Sequence, residues 1–127
     1  MNQRILIVED DPSALRLIEF ALQQERYEVT TATNGLTGLK KAQNEKPDLV
    51  ILDLMLPGLD GFEICSRLRQ EPETAQTPIL ILSAKTHESD ISTARDVGAD
   101  AYLTKSGDPS EIVAQVQTLL SQKPLIM

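Results

Sequence analysis

RILIVEDDPSAL, residues 4–15, decides the fold: an apolar run Ile5-Leu6-Ile7-Val8, the acids Glu9-Asp10-Asp11, then Pro12 and the start of a helical pattern. An apolar run without alternation suits a strand covered on both faces, as in a parallel sheet. Asp11 before Pro12 reads as a helix N-cap followed by proline at the first helical position. Leu15, Ile18, Ala21 and Leu22 then recur at helical spacing.

The same strand-then-helix unit repeats along the chain. Leu49-Val50-Ile51-Leu52 and Ile79-Leu80-Ile81-Leu82 are two further continuous runs. Tyr27 to Ala32 and Asp100 to Thr104 carry more polar residues, as edge strands can. Asn34 is placed to cap a second helix bearing Leu36, Leu39 and Ala42 and stopped before Pro47. Asp60 and Glu63 have capping-box spacing for a third helix, which ends by Pro72. A fourth, from Glu88 to Val97, has only a thin apolar stripe (Ile91, Ala94, Val97), with Gly98 as its C-terminal cap. The fifth starts at Asp108-Pro109 with Glu111 closing a box, and its face Ile112, Val113, Val116, Leu119 and Leu120 is the most regular in the chain. Strict alternation predicts an α/β fold: a five-stranded parallel sheet with five helices on both faces. Three apolar strands and two polar ones suggest the order 2-1-3-4-5, a flavodoxin-like doubly wound sheet with its switch point between strands one and three.

Composition narrows the class further. A chain of 127 residues fits one domain, here 1–121, with 122–127 as a tail or the start of a linker. With 12 Lys+Arg against 19 Asp+Glu the net charge is −7, which disfavours direct nucleic-acid binding. At 3% aromatics and no Trp, base-stacking platforms are improbable too. Cys65 is the one cysteine and His87 the one histidine, so neither an internal disulfide nor a multi-histidine metal site can form. No apolar run approaches the roughly 18 residues of a membrane span, and the four apolar residues before Glu9 are too few for a signal-peptide core. The expectation is a cytoplasmic protein with no membrane contact.

In such sheets ligands bind at the carboxyl ends of the strands. There the chain places Glu9-Asp10, Asp53, Ser83-Ala84 and Lys105. Each alone has a plain structural reading: Asp53 as a strand end, Glu9 and Asp10 as solvated loop acids, Ser83 as a cap, Lys105 as a surface lysine. Asp11 is better used as the N-cap, so the site pair is Glu9 and Asp10. Together these groups form a physical unit. Three neighbouring carboxylates repel one another and need a compensating cation. Their oxygens suit Mg2+, and calcium would want more protein oxygens than are present. A carboxylate can attack a phosphoryl group, with a metal ion and a lysine neutralising the transferring charge and a hydroxyl holding one of its oxygens.

The chain from about Arg4 to about Ser121 resembles the receiver domains of two-component response regulators. The matching stretches are Ile7-Val8-Glu9-Asp10-Asp11, Asp53-Leu54-Met55-Leu56-Pro57-Gly58-Leu59-Asp60-Gly61, Ser83-Ala84, Gly98-Ala99-Asp100-Ala101-Tyr102-Leu103 and Lys105. The resemblance implies Asp53 as phospho-acceptor, with Asp10, Asp53 and the Met55 main-chain carbonyl on Mg2+ and Glu9 acting mainly through a metal-bound water. It implies that Ser83 and Lys105 hold the phosphoryl group, and that Tyr102 turns inward as Ser83 moves toward it. The implied donor is a sensor histidine kinase or a histidine phosphotransfer protein, and the implied output is the surface of the fourth helix, fifth strand and fifth helix. The downstream partner is not legible. One departure is that Ser106 follows Lys105 where the family usually has proline, often in a cis peptide. Gly107 gives that loop latitude.

The remaining features read plainly. Cys65 belongs to a buried helix face, His87 begins a loop or helix, and Gly35 and Gly38 lack the spacing of a phosphate loop. The fifth helix has no Lys or Arg, so a monomer or weak dimer is expected rather than a dimer built on basic residues there. Two rival functions are a constitutive pseudo-receiver without phosphorylation and an Mg2+ phosphatase with an aspartyl nucleophile. The second lacks a proton-transferring group two residues after Asp53, where Met55 stands.

Overall fold

The computed structural model describes residues 2–84, 88–105 and 108–122. His87, the Lys105–Ser106 peptide, Gly107 and the 123–127 tail lie outside them. Strands β1 (Arg4–Val8), β2 (Glu28–Ala32), β3 (Leu49–Asp53), β4 (Ile79–Ser83) and β5 (Ala101–Thr104) alternate with helices α1 (Pro12–Gln24), α2 (Gly35–Glu45), α3 (Gly61–Gln70), α4 (Glu88–Asp96) and α5 (Ser110–Ser121). All strand pairs are parallel and the order is β2-β1-β3-β4-β5, as the sequence predicts.

Side chains on a strand alternate between faces, so a continuous apolar run feeds two cores at once. Leu6, Val8, Val50, Leu52, Ile79 and Ile81 pack on one face with Leu39 and Ala42 of α2, Ile64, Cys65 and Leu68 of α3, and Ala94 of α4. Ile5, Ile7, Leu49, Ile51, Leu80 and Leu82 pack on the other with Ile18 and Leu22 of α1 and Ile112, Val116, Leu119 and Leu120 of α5. The edge strands β2 and β5 are only partly covered.

The helix ends follow the punctuation. Asp11 caps α1 by accepting from the Ser13 amide, Asn34 caps α2 through Thr37, and Asp60 caps α3 through Glu63. Helix α4 closes with paired bonds, Ala99 N–H to Ala94 C=O and Gly98 N–H to Arg95 C=O, around Gly98 at φ +96°. This is a Schellman motif, and its left-handed residue needs glycine. Helix α5 begins one residue later than expected: Pro109 flanks it, and the Asp108 carboxylate takes the Ser110 N–H at 2.9 Å.

One expected core residue is corrected. Leu36 stands 51% exposed, because α2 turns the i, i+3, i+4, i+7 set Gly35, Gly38, Leu39 and Ala42 inward. Two of those four positions are glycines, so the helix lies close against its neighbours there.

Arg69 of α3 ties the far end of the sheet together. Its Nε donates to Gly98 C=O at 2.9 Å, Nη1 to Thr77 C=O at 2.7 Å, and Nη2 to the Asp100 carboxylate at 2.7 Å. Asp100 in turn accepts the Ile79 N–H at 2.8 Å, at the start of β4. Arg69→Ala removes the guanidinium donor from the Gly98 and Thr77 carbonyls and leaves Asp100 only the Ile79 N–H of its two donors. It is expected to lower unfolding free energy by about 2 kcal/mol, which a shifted urea midpoint at unchanged slope would show. Burial pushes the Cys65 thiol up to about 11, and its Sγ lies 3.4 Å from Val97 C=O. Iodoacetamide at pH 8 is therefore expected to spare the native protein and to alkylate Cys65 only in denaturant.

Candidate functional site: an acidic pocket at the carboxyl rim

The strand order reverses direction between β1 and β3, and the residues at the carboxyl ends of these strands meet there. Strand β1 runs out into Glu9, which lies 1% exposed, and β3 ends in Asp53, 4% exposed. Asp10 beside them is exposed. One carboxylate oxygen from each of these three residues lies within 4.8 Å of the others. The pair singled out from the sequence, Glu9 and Asp10 rather than Asp11, therefore faces Asp53, while Asp11 caps α1.

Lys105, leaving β5, brings the counter-charge. Its Nζ lies 2.7 Å from Glu9 Oε1 and 3.1 Å from Asp53 Oδ2. Burial alone would lower the lysine's pKa, but the hydrogen bonds and charges of Glu9 and Asp53 outweigh it and hold the ammonium above its usual range. Glu9 moves the other way from a normal paired acid. Burial raises its carboxyl despite Lys105 and the Asp11 amide, and the Asp53 charge adds to the rise. Three carboxylates thus gather around one ammonium, a donor set whose chemistry suits a divalent cation.

Ser83 ends β4, buried, one position past the Leu82 that pairs with Asp53. Its carbonyl accepts the Lys105 N–H at 2.6 Å, which joins the two residues through the backbone. Met55 is 66% exposed, and its amide lies 3.4 Å from Asp53 Oδ1. Tyr102 sits apart from this cluster. It is half-buried on β5, packed against the core, and lines a pocket of about 260 Å³ with Ile91, Ala94 and Arg95.

The direct Lys105–Glu9 contact was not legible in the spacing of either residue. The sequence did carry its cause, a surplus of strand-end acids that demands a nearby cation. The segment Leu54–Gly61 is fixed at both ends by Leu54 N–H to Leu82 C=O and Gly61 N–H to Leu54 C=O.

Comparison with known proteins agrees with this geometry. The family described as "Response regulator receiver domain" matches residues 5–117. The alkaline phosphatase synthesis transcriptional regulatory protein PhoP of Bacillus subtilis is 44% identical over 125 residues, 98% of this chain and 51% of that protein. The chain thus spans about half the length of the curated relatives it matches. A crystal structure of a response regulator from Chloroflexus aurantiacus has a TM-score of 0.91 at 36% identity, covering 96% of this chain and all (100%) of that one. The receiver domain of the Pseudomonas aeruginosa sensor histidine kinase PA1611, solved with a magnesium ion coordinated in its active-site cleft, has a TM-score of 0.88 at 28% identity, covering 96% and 100%. Among the described residues no helix is long and apolar enough to cross a membrane. Family match, relatives and fold agree: the chain belongs to the receiver domains of two-component response regulators.

Proposed function

We propose that this receiver is a phosphorylation-dependent switch with Asp53 as its phospho-acceptor. The observation that carries this reading is the buried Asp53 carboxylate, set among Glu9 and Asp10 and paired with Lys105 at 3.1 Å. A nucleophile needs that placement to meet a phosphoryl group while the surrounding charge is controlled. An Asp53 oxygen attacks the phosphorus of a phosphohistidine on a sensor kinase or phosphotransfer protein. The P–N bond breaks with its electron pair returning to the imidazole, which leaves an aspartyl phosphate.

Asp10, Asp53 and the Met55 main-chain carbonyl are the groups to hold Mg2+, with Glu9 reaching it through water. The ion would supply charge neutralisation to the transferring group. The chain's own residues do the rest. Lys105 meets the phosphoryl oxygens from the side of β5, and the Ser83 hydroxyl donates to one of them. As Ser83 moves toward the new group, Tyr102 turns inward and the α4–β5–α5 surface changes. Helix α4 suits such a change because Ala94 is its one buried residue among those described, and space already lies beside Tyr102. The shift in affinity for an output domain or partner is bounded by the energy difference between the two surfaces.

Incubation with acetyl phosphate and Mg2+ is expected to add one phosphoryl mass to the intact protein and none to Asp53→Asn. Labelling of the variant would move the acceptor elsewhere, and a wild type that never labels beside an active receiver would favour the pseudo-receiver.

Lys105→Met strips the cation from two buried acids. Its expected cost at pH 7 is about 2 kcal/mol, discounted because the ammonium is partly exposed. Glu9's raised carboxyl fixes the sign with pH. Its favourable contribution is complete below the ordinary value of 4.5 and lost as pH rises through the raised one. The deficit of Lys105→Met relative to wild type is thus expected to widen as pH climbs above 4.5. Urea midpoints of both proteins across pH 4 to 8 check this, and a constant gap would contradict it.

A further inference from the structure

The two glycines of α2 that fit no phosphate-loop pattern lie against both halves of the acidic pocket. A Cβ on Gly35 would stand 1.8 Å from the Leu59 carbonyl oxygen, and one on Gly38 would stand 2.6 Å from the Val8 side chain. Leu59 belongs to the segment that follows Asp53, and Val8 immediately precedes Glu9. Gly35 also donates its N–H to Pro57 C=O at 3.0 Å. The same carbonyl accepts the Leu59 N–H at 3.1 Å across a tight turn in which Gly58 has φ +86°. Pro57 is therefore clamped twice, once from inside its own turn and once from α2.

We infer that Gly35 is a positioning residue for the metal site: its amide and its missing side chain strap the 54–60 segment, and with it the Met55 carbonyl, in place. This rests on the proposed Mg2+ ligation. Bonds at Leu54 and Gly61 hold the ends of the segment, Leu56 and Leu59 pack part-buried against the core, and among the backbone bonds of its middle the Gly35–Pro57 bond ties it to α2. Mg2+ demands near-ideal octahedral geometry at short distances, and a displaced ligand is costly to it. A methyl group at position 35 meets backbone, which cannot rotate away. Helix α2 cannot easily retreat, because Leu39 and Ala42 are buried in the core and Gly38 lies on Val8. The segment, exposed at Met55, Pro57, Gly58 and Asp60 and only half-buried at Leu56 and Leu59, is the softer side and must give.

The test is Mg2+ titration by calorimetry on wild type, Gly35→Ala and Val116→Ala. The last is a core truncation in α5, on the opposite face of the sheet, that destabilises without touching the strap. Strapping predicts a Kd for Mg2+ at least tenfold weaker in Gly35→Ala and within twofold of wild type in Val116→Ala. It also predicts that acetyl phosphate labelling of Gly35→Ala needs more Mg2+ for half-maximal rate but reaches nearly the wild-type rate at saturation. Equal Kd values in wild type and Gly35→Ala would overturn the strap while leaving the metal site standing. A wild type that does not bind Mg2+ would overturn the site reading itself. Should Gly35→Ala not fold, amide exchange on wild type decides. Because strap and metal select the same loop position, saturating Mg2+ is expected to slow exchange of the Gly35 N–H at least fivefold. An unchanged rate would overturn the proposal.

Discussion

Two buried carboxylates facing one ammonium form the constraint on which the rest of this molecule depends. Glu9 and Asp53 come from neighbouring strands of a parallel sheet, and Lys105 from its far edge. An apolar interior tolerates such a group only when charge is met by charge; here two carboxylates share one ammonium, and burial raises the Glu9 carboxyl despite it. The fold spends its rigidity to hold this imbalance. Twelve apolar side chains at one per cent exposure or less crowd the central strands just behind it: Ile5 to Val8, Leu49 to Leu52 and Ile79 to Leu82. A pocket built on strand ends cannot relax by moving a loop aside, so the surplus of carboxylates over ammonium persists.

Against this stiff centre stand elements with lighter attachment. The sheet's two outer strands are only partly covered, and α4 has a single buried residue among those described. Arg69 partly offsets this at one end, where it joins α3 to the Gly98 turn and the start of β4. The amino-terminal edge of the sheet is thus tied down while the region around Tyr102 keeps space about it. Stiffness at the site and looseness beside it are what the proposed switch would need for a local charge event to be read at a distance.

Much of this was legible in the residues. Continuous apolar runs in the central strands could not alternate faces with polar groups, so a doubly covered parallel sheet followed, and Asp11-Pro12, Asn34 and Gly98 marked helix ends by their own chemistry. The strand-end acids pointed to a cation because repulsion among carboxylates does not depend on details of packing. Leu36 misled because helical position relative to the core is set by where the helix begins, and the glycines beside it, not the leucine, take the inner face. The Glu9–Lys105 contact joins residues from opposite ends of the chain, so no local pattern encodes it. The bonds of Arg69 are not legible in the sequence, since backbone carbonyl partners carry no residue signal.

The slight anchoring of α4 has a consequence for how such a domain diversifies. Residues of this helix contribute little to the core, so exchanging most of them costs only about 0.5 kcal/mol either way. Under the proposed function, its outward face is a place where recognition chemistry can be rewritten without disturbing the acid pocket or the sheet beneath it. One scaffold can thereby keep its input chemistry fixed while its output vocabulary drifts.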